Sequence, residues 1–225
     1  MNEVIHISGY DIYPGLCGCC VKGYLPFVKQ ICKNRPYLVE VELGFITKKE
    51  IKDSISIDFS NFDVAIELIT DRHHSKEFWK YKDREEFCKK INGILKQAIL
   101  IYERIHAKYI VTKNGLEMMK ERIDNKYYGV CPRYKCNEHH LIPFGCSSHH
   151  NDGKIEFYCP LCKDDYYNME CLKQFEDVDG ACFGPNFPSL YLKEYPENNN
   201  IELEYVRPTV YGFRLHMKDK EYFIH

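Results

Sequence analysis

Four cysteines stand in two close pairs, Cys131-Pro-Arg-Tyr-Lys-Cys136 and Cys159-Pro-Leu-Cys162, and both the residue type and the spacing suit metal ligation. A turn that brings two such cysteines together points both sulfurs at one ion. Two turns of this kind close a tetrahedral site with four thiolates and leave no coordination position for a substrate. The pattern predicts one structural Zn2+ per chain, held by Cys131, Cys136, Cys159 and Cys162. Such a metal folds the chain and does no catalysis. In small metal domains ligation is worth on the order of 10–16 kcal/mol at neutral pH, more than the net stability of a typical domain. Pro132 and Pro160 each follow a ligand directly, as in tight turns that bend a backbone around an ion.

The remaining chemistry-bearing residues point elsewhere. The chain contains no Gly-rich phosphate loop, no kinase catalytic signature and no His-Glu-x-x-His pattern, so it is not expected to be an enzyme. His73-His74, His139-His140 and His149-His150 are of a type that binds transition metals, but they read as exposed loop histidines. Cys17, Cys19 and Cys20 have no matching partner set and read as ordinary thiols, while Cys146, Cys171 and Cys182 read as loop or core residues outside the two knuckles.

Positioning two knuckles requires elements around them, and 225 residues suffice for one or two domains. The clearest element is a helix from about Arg84 to Tyr109, where Phe87, Ile91, Leu95, Ala98, Tyr102, Ile105 and Tyr109 recur at helical spacing. Thr47-Lys-Lys-Glu50 matches a capping box and predicts a helix from Thr47 to about Ser54; a short helix is expected over Phe62 to Ile69. Thr112 to Gly115 breaks the pattern before another helix that ends near Asn125. Tyr37, Val39 and Val41 alternate with Leu38, Glu40 and Glu42, which suits a short extended segment or the approach to a helix. After Gly129, short stretches with Pro, Gly and paired Cys replace helical periodicity.

The expected fold class is therefore α+β: an irregular extension over 1–36, an all-α domain over 37–127, a four-cysteine zinc-ribbon β domain over 128–192, and a C-terminal hairpin and tail over 193–225.

The formal net charge of −2 gives no global pull toward nucleic acid or membrane. A zinc-ribbon nucleic-acid or transcription-associated module is the alternative reading, since Arg133, Lys135 and Lys163 lie beside the knuckles; Asp164 and Asp165 and the lack of a broad basic stripe oppose it. The opening residues lack the basic and apolar regions of a signal peptide, and no stretch approaches the ~18–20 apolar residues of a membrane span, so a soluble intracellular protein is expected. In that reducing setting the twelve cysteines are thiols and metal ligands, not a disulfide framework.

Five ordered patches carry a family resemblance: Ile105-His-Ala-Lys-Tyr-Ile-Val-Thr-Lys-Asn-Gly115, Tyr128-Gly-Val-Cys-Pro-Arg133, Tyr158-Cys-Pro-Leu-Cys162, Asp179-Gly-Ala-Cys-Phe-Gly184 with Phe187-Pro188, and Tyr211-Gly-Phe-Arg-Leu-His216. Together they resemble the regulatory beta subunits of casein kinase II over roughly Tyr37 to His216, with no evident counterpart for the residues before. The resemblance implies a helical domain packed on a zinc ribbon, ribbons pairing two chains into a homodimer, and a beta dimer that carries two catalytic alpha subunits and influences which protein substrates they use. It implies the same four cysteines as zinc ligands, and Tyr211 and Phe213 as contacts to the catalytic subunit. Val130, Tyr134, Phe157 and Leu161, near the knuckles, either face a twin ribbon or pack inside their own. Cytoplasm and nucleus are the implied locations. Two features depart from the family: residues 70–83 are mixed to basic where the family has a dense acidic loop, and the family's serine-rich acidic start is missing, Ser8 being the nearest equivalent.

Overall fold

The computed structural model describes residues 5–12, 24–72, 84–134, 136–197 and 209–214. Helices fill the first half and a small antiparallel sheet the second. β1 (Ile5–Ile7) and β2 (Tyr10–Ile12) form a hairpin, followed by α1 (Phe27–Asn34), α2 (Leu43–Ile46), α3 (Lys49–Asp53), α4 (Phe62–Ile69), α5 (Arg84–Tyr109) and α6 (Lys113–Asp124). β3 (Ile142–Gly145), β4 (Ile155–Cys159) and β5 (Asp164–Tyr166) make a three-stranded sheet in that order, α7 (Phe187–Glu194) follows, and β6 (Thr209–Val210) pairs with β7 (Phe213–Arg214). No helix among the described residues is long and apolar enough to cross a membrane.

α4 and α5 have the bounds that their apolar spacing predicts. Ile91, Leu95, Ala98, Tyr102, Ile105 and Tyr109 are all buried, and Ile94 and Ile101 widen the stripe, so α5 is enclosed on more than one face. The side chain of Phe87 lies outside the described residues. α6 starts where Thr112 accepts the Gly115 N–H at 3.3 Å, so the apparent break is an N-cap.

Thr47 does not open a helix. It ends α2, its hydroxyl donating back to the Leu43 carbonyl at 3.1 Å, and α3 begins only after Lys48. That backward bond occupies the hydroxyl a capping box would need. Nor is the region before residue 37 irregular throughout. Tyr10, Ile12, Phe27, Val28 and Ile31 are buried, and the Gln30 amide accepts the Asp11 N–H at 2.7 Å and donates to the Asp11 carbonyl at 3.0 Å, tying α1 to β2.

After a turn over 36–38, in which the Leu38 N–H donates to the Arg35 carbonyl at 3.0 Å, residues 39–42 have no strand partner among the described residues, and side chains satisfy several of the backbone groups along 37–41. Tyr102 Oη accepts the Val41 N–H and donates to the Val39 carbonyl, both at 3.0 Å, and Tyr128 Oη donates to the Tyr37 carbonyl at 3.0 Å. His106 completes the set. Its Nε2 accepts the Val39 N–H at 3.0 Å and its Nδ1–H donates to the Cys182 carbonyl at 2.7 Å, joining this segment, α5 and the second half of the chain. One buried apolar cluster accordingly runs from Tyr10 to Tyr191.

Both His106 bonds require a neutral ring, and complete burial pushes its pKa from 6.5 down to about 4. A folded pKa below the unfolded one means the unfolded chain binds the extra proton. Stability is therefore complete above the unfolded value and falls by about 3 kcal/mol as pH drops from about 6.5 to about 4. Urea midpoints across that window should decline more steeply in the wild type than in His106→Gln; equal slopes would contradict this role.

At the seam between β3 and the turn before α7, Gly145 and Gly180 touch backbone to backbone. A Cβ on Gly180 would lie 2.6 Å from the Gly145 Cα and 2.7 Å from the Lys154 carbonyl oxygen. Both obstacles are main chain and neither can swing aside. Gly180→Ala is expected to lower stability by about 2–3 kcal/mol in urea titration, and an unchanged midpoint would refute the close approach.

Candidate functional site

The two cysteine turns meet at one end of the ribbon. Cys131 and Cys136 precede β3, with the Cys131 N–H donating to the His139 carbonyl at 2.7 Å and the Cys136 N–H to the Arg133 carbonyl at 3.1 Å. Cys159 ends β4, and the chain turns through Pro160–Cys162 to Lys163, whose positive φ of 58° lets its N–H reach the Cys159 carbonyl at 2.8 Å. β4 and β5 then pair with Cys159 opposite Asp164.

This brings all four sulfurs within 4.8 Å of one another, with Cys131, Cys136 and Cys159 buried and Cys162 half-buried. Cys131 to Cys162 and Cys136 to Cys159 are each 3.7 Å, sulfur to sulfur. A tetrahedron of thiolates with metal–sulfur bonds of about 2.3 Å has edges of roughly 3.8 Å, so the cage fits such an ion. Electrostatics agree. Hydrogen bonds from Cys159 and Cys162 hold the Cys131 thiol below its ordinary value, bonding to Cys131 and Cys162 drives Cys159 above it, and burial raises Cys136. The four thiols do not ionise independently, and a bound dication is what lets all four become thiolates.

Tyr166, which the cysteine spacing does not reveal, stands over the cage. Its hydroxyl lies 3.1 Å from Cys162 Sγ and 3.5 Å from Cys131 Sγ, placed there because β5 sets Tyr166 opposite Phe157. A hydroxyl in that position donates to thiolates and orients them.

The residues expected around the knuckles divide. Tyr134 is 67% exposed and Val130 half-buried, bridged to His140. Phe157 and Leu161, by contrast, are buried in their own chain, so for these two the outward-facing alternative fails. Ile155, Phe157 and Cys159 alternate inward on β4, and the Phe157 ring packs on Phe175 at 5.2 Å.

Tyr211 and Phe213 occupy a tight hairpin. Val210 pairs with Phe213, and the two residues between them, Tyr211 and Gly212, have φ of 50° and 81°, the left-handed pair that a two-residue turn demands. Both rings lie open to solvent, Tyr211 at 97% and Phe213 at 78%. They do not cover the core of their own chain.

The histidine pairs are not uniformly exposed loop residues. His139 and His140 are half-buried with rings stacked at 4.4 Å, and each Nε2 meets the Glu197 carboxylate, at 2.8 and 2.6 Å. Burial alone would raise the Glu197 pKa, but the hydrogen bonds from His140 and His139 prevail and hold it below the ordinary carboxylate value. His150 is half-buried, donating from Nε2 to the Leu100 carbonyl at 3.1 Å; His149 is exposed. Cys146 and Cys171 are exposed and Cys182 is buried. His73, His74, Cys17, Cys19 and Cys20 lie outside the described residues, as does most of the mixed-charge 70–83 segment.

Comparison with known proteins places this arrangement. A sequence profile of the casein kinase II regulatory subunit matches residues 26–214, which takes in α1, both cysteine pairs and the hairpin. The match begins earlier than Tyr37, where the motif resemblance starts. The chain is 29% identical over 198 residues to casein kinase II subunit beta of Candida albicans, covering 79% of this chain and 67% of that one. To subunit beta-2 of Neurospora crassa it is 30% identical over 185 residues, covering 82% and 61%. To subunit beta' of Drosophila melanogaster it is 27% identical over 196 residues, covering 84% of each. These proteins are named as beta subunits of the kinase, matching the lack of a catalytic signature here. With the profile spanning the helices, the cysteine cage and the aromatic hairpin alike, the chain belongs to the casein kinase II regulatory subunit family.

Proposed function

We propose that this chain acts as a zinc-dependent homodimer that binds two casein kinase II catalytic alpha subunits, stabilises them, and modulates their activity and choice of protein substrates in cytoplasm and nucleus. The single observation that carries this reading is the hairpin Thr209–Arg214 with Tyr211 and Phe213 held in water. A tyrosine at positive φ costs backbone energy, on the order of 1–3 kcal/mol, and such strain collects where a side chain must be presented. Two rigid rings on a short turn bury large area at small entropic cost when a partner closes over them.

Zinc suits a cage of four thiolates, and its part is structural: the ion would fix both knuckles, while the chain's own residues do the binding. The dimer face lies on the ribbon, where Tyr134 and Val130 sit beside the first knuckle. Tyr167 and Met169, both exposed, line a concavity on the same sheet whose lining includes Phe157 and Phe175. In a C₂ pair one such patch serves both chains, and the inward residues Phe157 and Leu161 support it from beneath.

Isothermal titration of the zinc-loaded chain with a casein kinase II catalytic subunit tests the reading. One catalytic subunit bound per chain is expected. A folded, zinc-loaded chain that gives no binding would defeat it.

A further inference from the structure

We propose that His139, His140 and Glu197 form a second metal site, separate from the cysteine cage, that takes a divalent transition metal such as zinc, cobalt or nickel. Adjacent residues of an extended chain normally send their side chains to opposite sides. His139 and His140 do not: their rings stack at 4.4 Å and both Nε2 atoms converge on one carboxylate, His139 at 2.8 Å from Oε2 and His140 at 2.6 Å from Oε1. The side chains are 24%, 18% and 19% exposed, so the cluster is largely sheltered but not sealed from water. One donor atom from each lies within 4.8 Å of the other two.

Two imidazoles and a carboxylate are the three-ligand set that transition metals use when a further position stays open to water or a small ligand. Around an ion with bonds of about 2.0–2.1 Å, neighbouring donors stand roughly 3.3 Å apart. The present spacings are those of hydrogen bonds. An ion takes the neutral rings with Nε2 bare and the one ring hydrogen on Nδ1, and requires the carboxylate to retreat by about half an ångström. No cysteine sulfur belongs to the set, but the two sites share backbone: the Cys131 N–H donates to the His139 carbonyl, and the His139 N–H donates to the Cys136 carbonyl at 3.1 Å. Glu197 stands just after α7, so an ion here would fasten the chain leaving that helix to the ribbon. The site stands on its own geometry and does not depend on kinase binding.

The test uses the untagged full chain loaded with one equivalent of zinc and freed of excess, then titrated with Co2+ alone, with metal content and visible absorption read together. A second equivalent should bind and show no thiolate-to-cobalt charge-transfer band, and both Glu197→Gln and His140→Ala should weaken it by about tenfold or more while the first zinc is retained. One metal per chain in the wild type at every Co2+ concentration overturns the proposal. So does a second equivalent that carries the thiolate band or that persists at wild-type affinity in both variants. Catalytic-subunit binding on the same samples separates the two readings: a chain that binds the kinase but holds one metal loses this site alone.

Discussion

Stripping the metal from the cage of Cys131, Cys136, Cys159 and Cys162, or replacing Cys159 by serine, is expected to abolish the cooperative folding of the ribbon half. The sheet there has strands of only three to five residues, too short to stand without help. What binds its end together is the cage, and without an ion the buried sulfurs have only weak contacts to one another. A structural zinc site contributes on the order of 10–16 kcal/mol, against about 5–15 kcal/mol of net stability for a whole domain. The damage should spread, because His106 bonds the Cys182 carbonyl and the apolar cluster is continuous from helices to ribbon. Hydrogen exchange is the measure: amides of Ile155–Cys159 should lose protection on chelation, with α5 following in part. Cys171→Ser, at an exposed thiol, should stay within about 0.5 kcal/mol of wild type. Wild-type protection in Cys159→Ser would refute a structural metal.

The second large effect falls on binding and leaves folding alone. Tyr211→Ala and Phe213→Ala should each weaken association with the catalytic subunit by about 2 kcal/mol or more, roughly thirtyfold in Kd, if the rings are the anchors. Neither ring is buried in its own chain, so urea midpoints should not move. That split distinguishes an anchor from a core residue, which would lose stability and affinity together. Alanine keeps the Cβ that sets the cost of a positive φ, so Tyr211→Ala removes the ring and leaves the backbone strain of the turn as it was, and the variant remains a fair comparison. Unchanged affinity in a folded, zinc-loaded double variant would sink the assignment.

Much of this was legible from residue spacing because the relevant physics is local. Paired cysteines define a cage whatever surrounds them, and the three- and four-residue recurrence of apolar side chains places α4 and α5 at their observed bounds. Errors arose where a distant partner decided the outcome. Thr47 has the right pattern for a cap, but its hydroxyl turns back to Leu43. The first residues look irregular by composition, yet β2 packs on α1, with the Tyr10 and Phe27 rings 5.4 Å apart, and both join the one buried apolar cluster. Phe157 could have been placed inward from β4 alone, since it shares a face with the ligand Cys159 two positions on. Tyr166 over the cage follows from strand pairing, and the meeting of Glu197 with His139 and His140 joins residues 58 and 57 positions apart; neither has a spacing signature.

The most direct test of the central claim is native mass spectrometry of the purified chain, alone and mixed with a casein kinase II catalytic subunit. A zinc-bearing dimer that becomes a four-chain complex on mixing is expected, with at least one zinc retained per regulatory chain. A chain that holds zinc and dimerises but never acquires the kinase would contradict it.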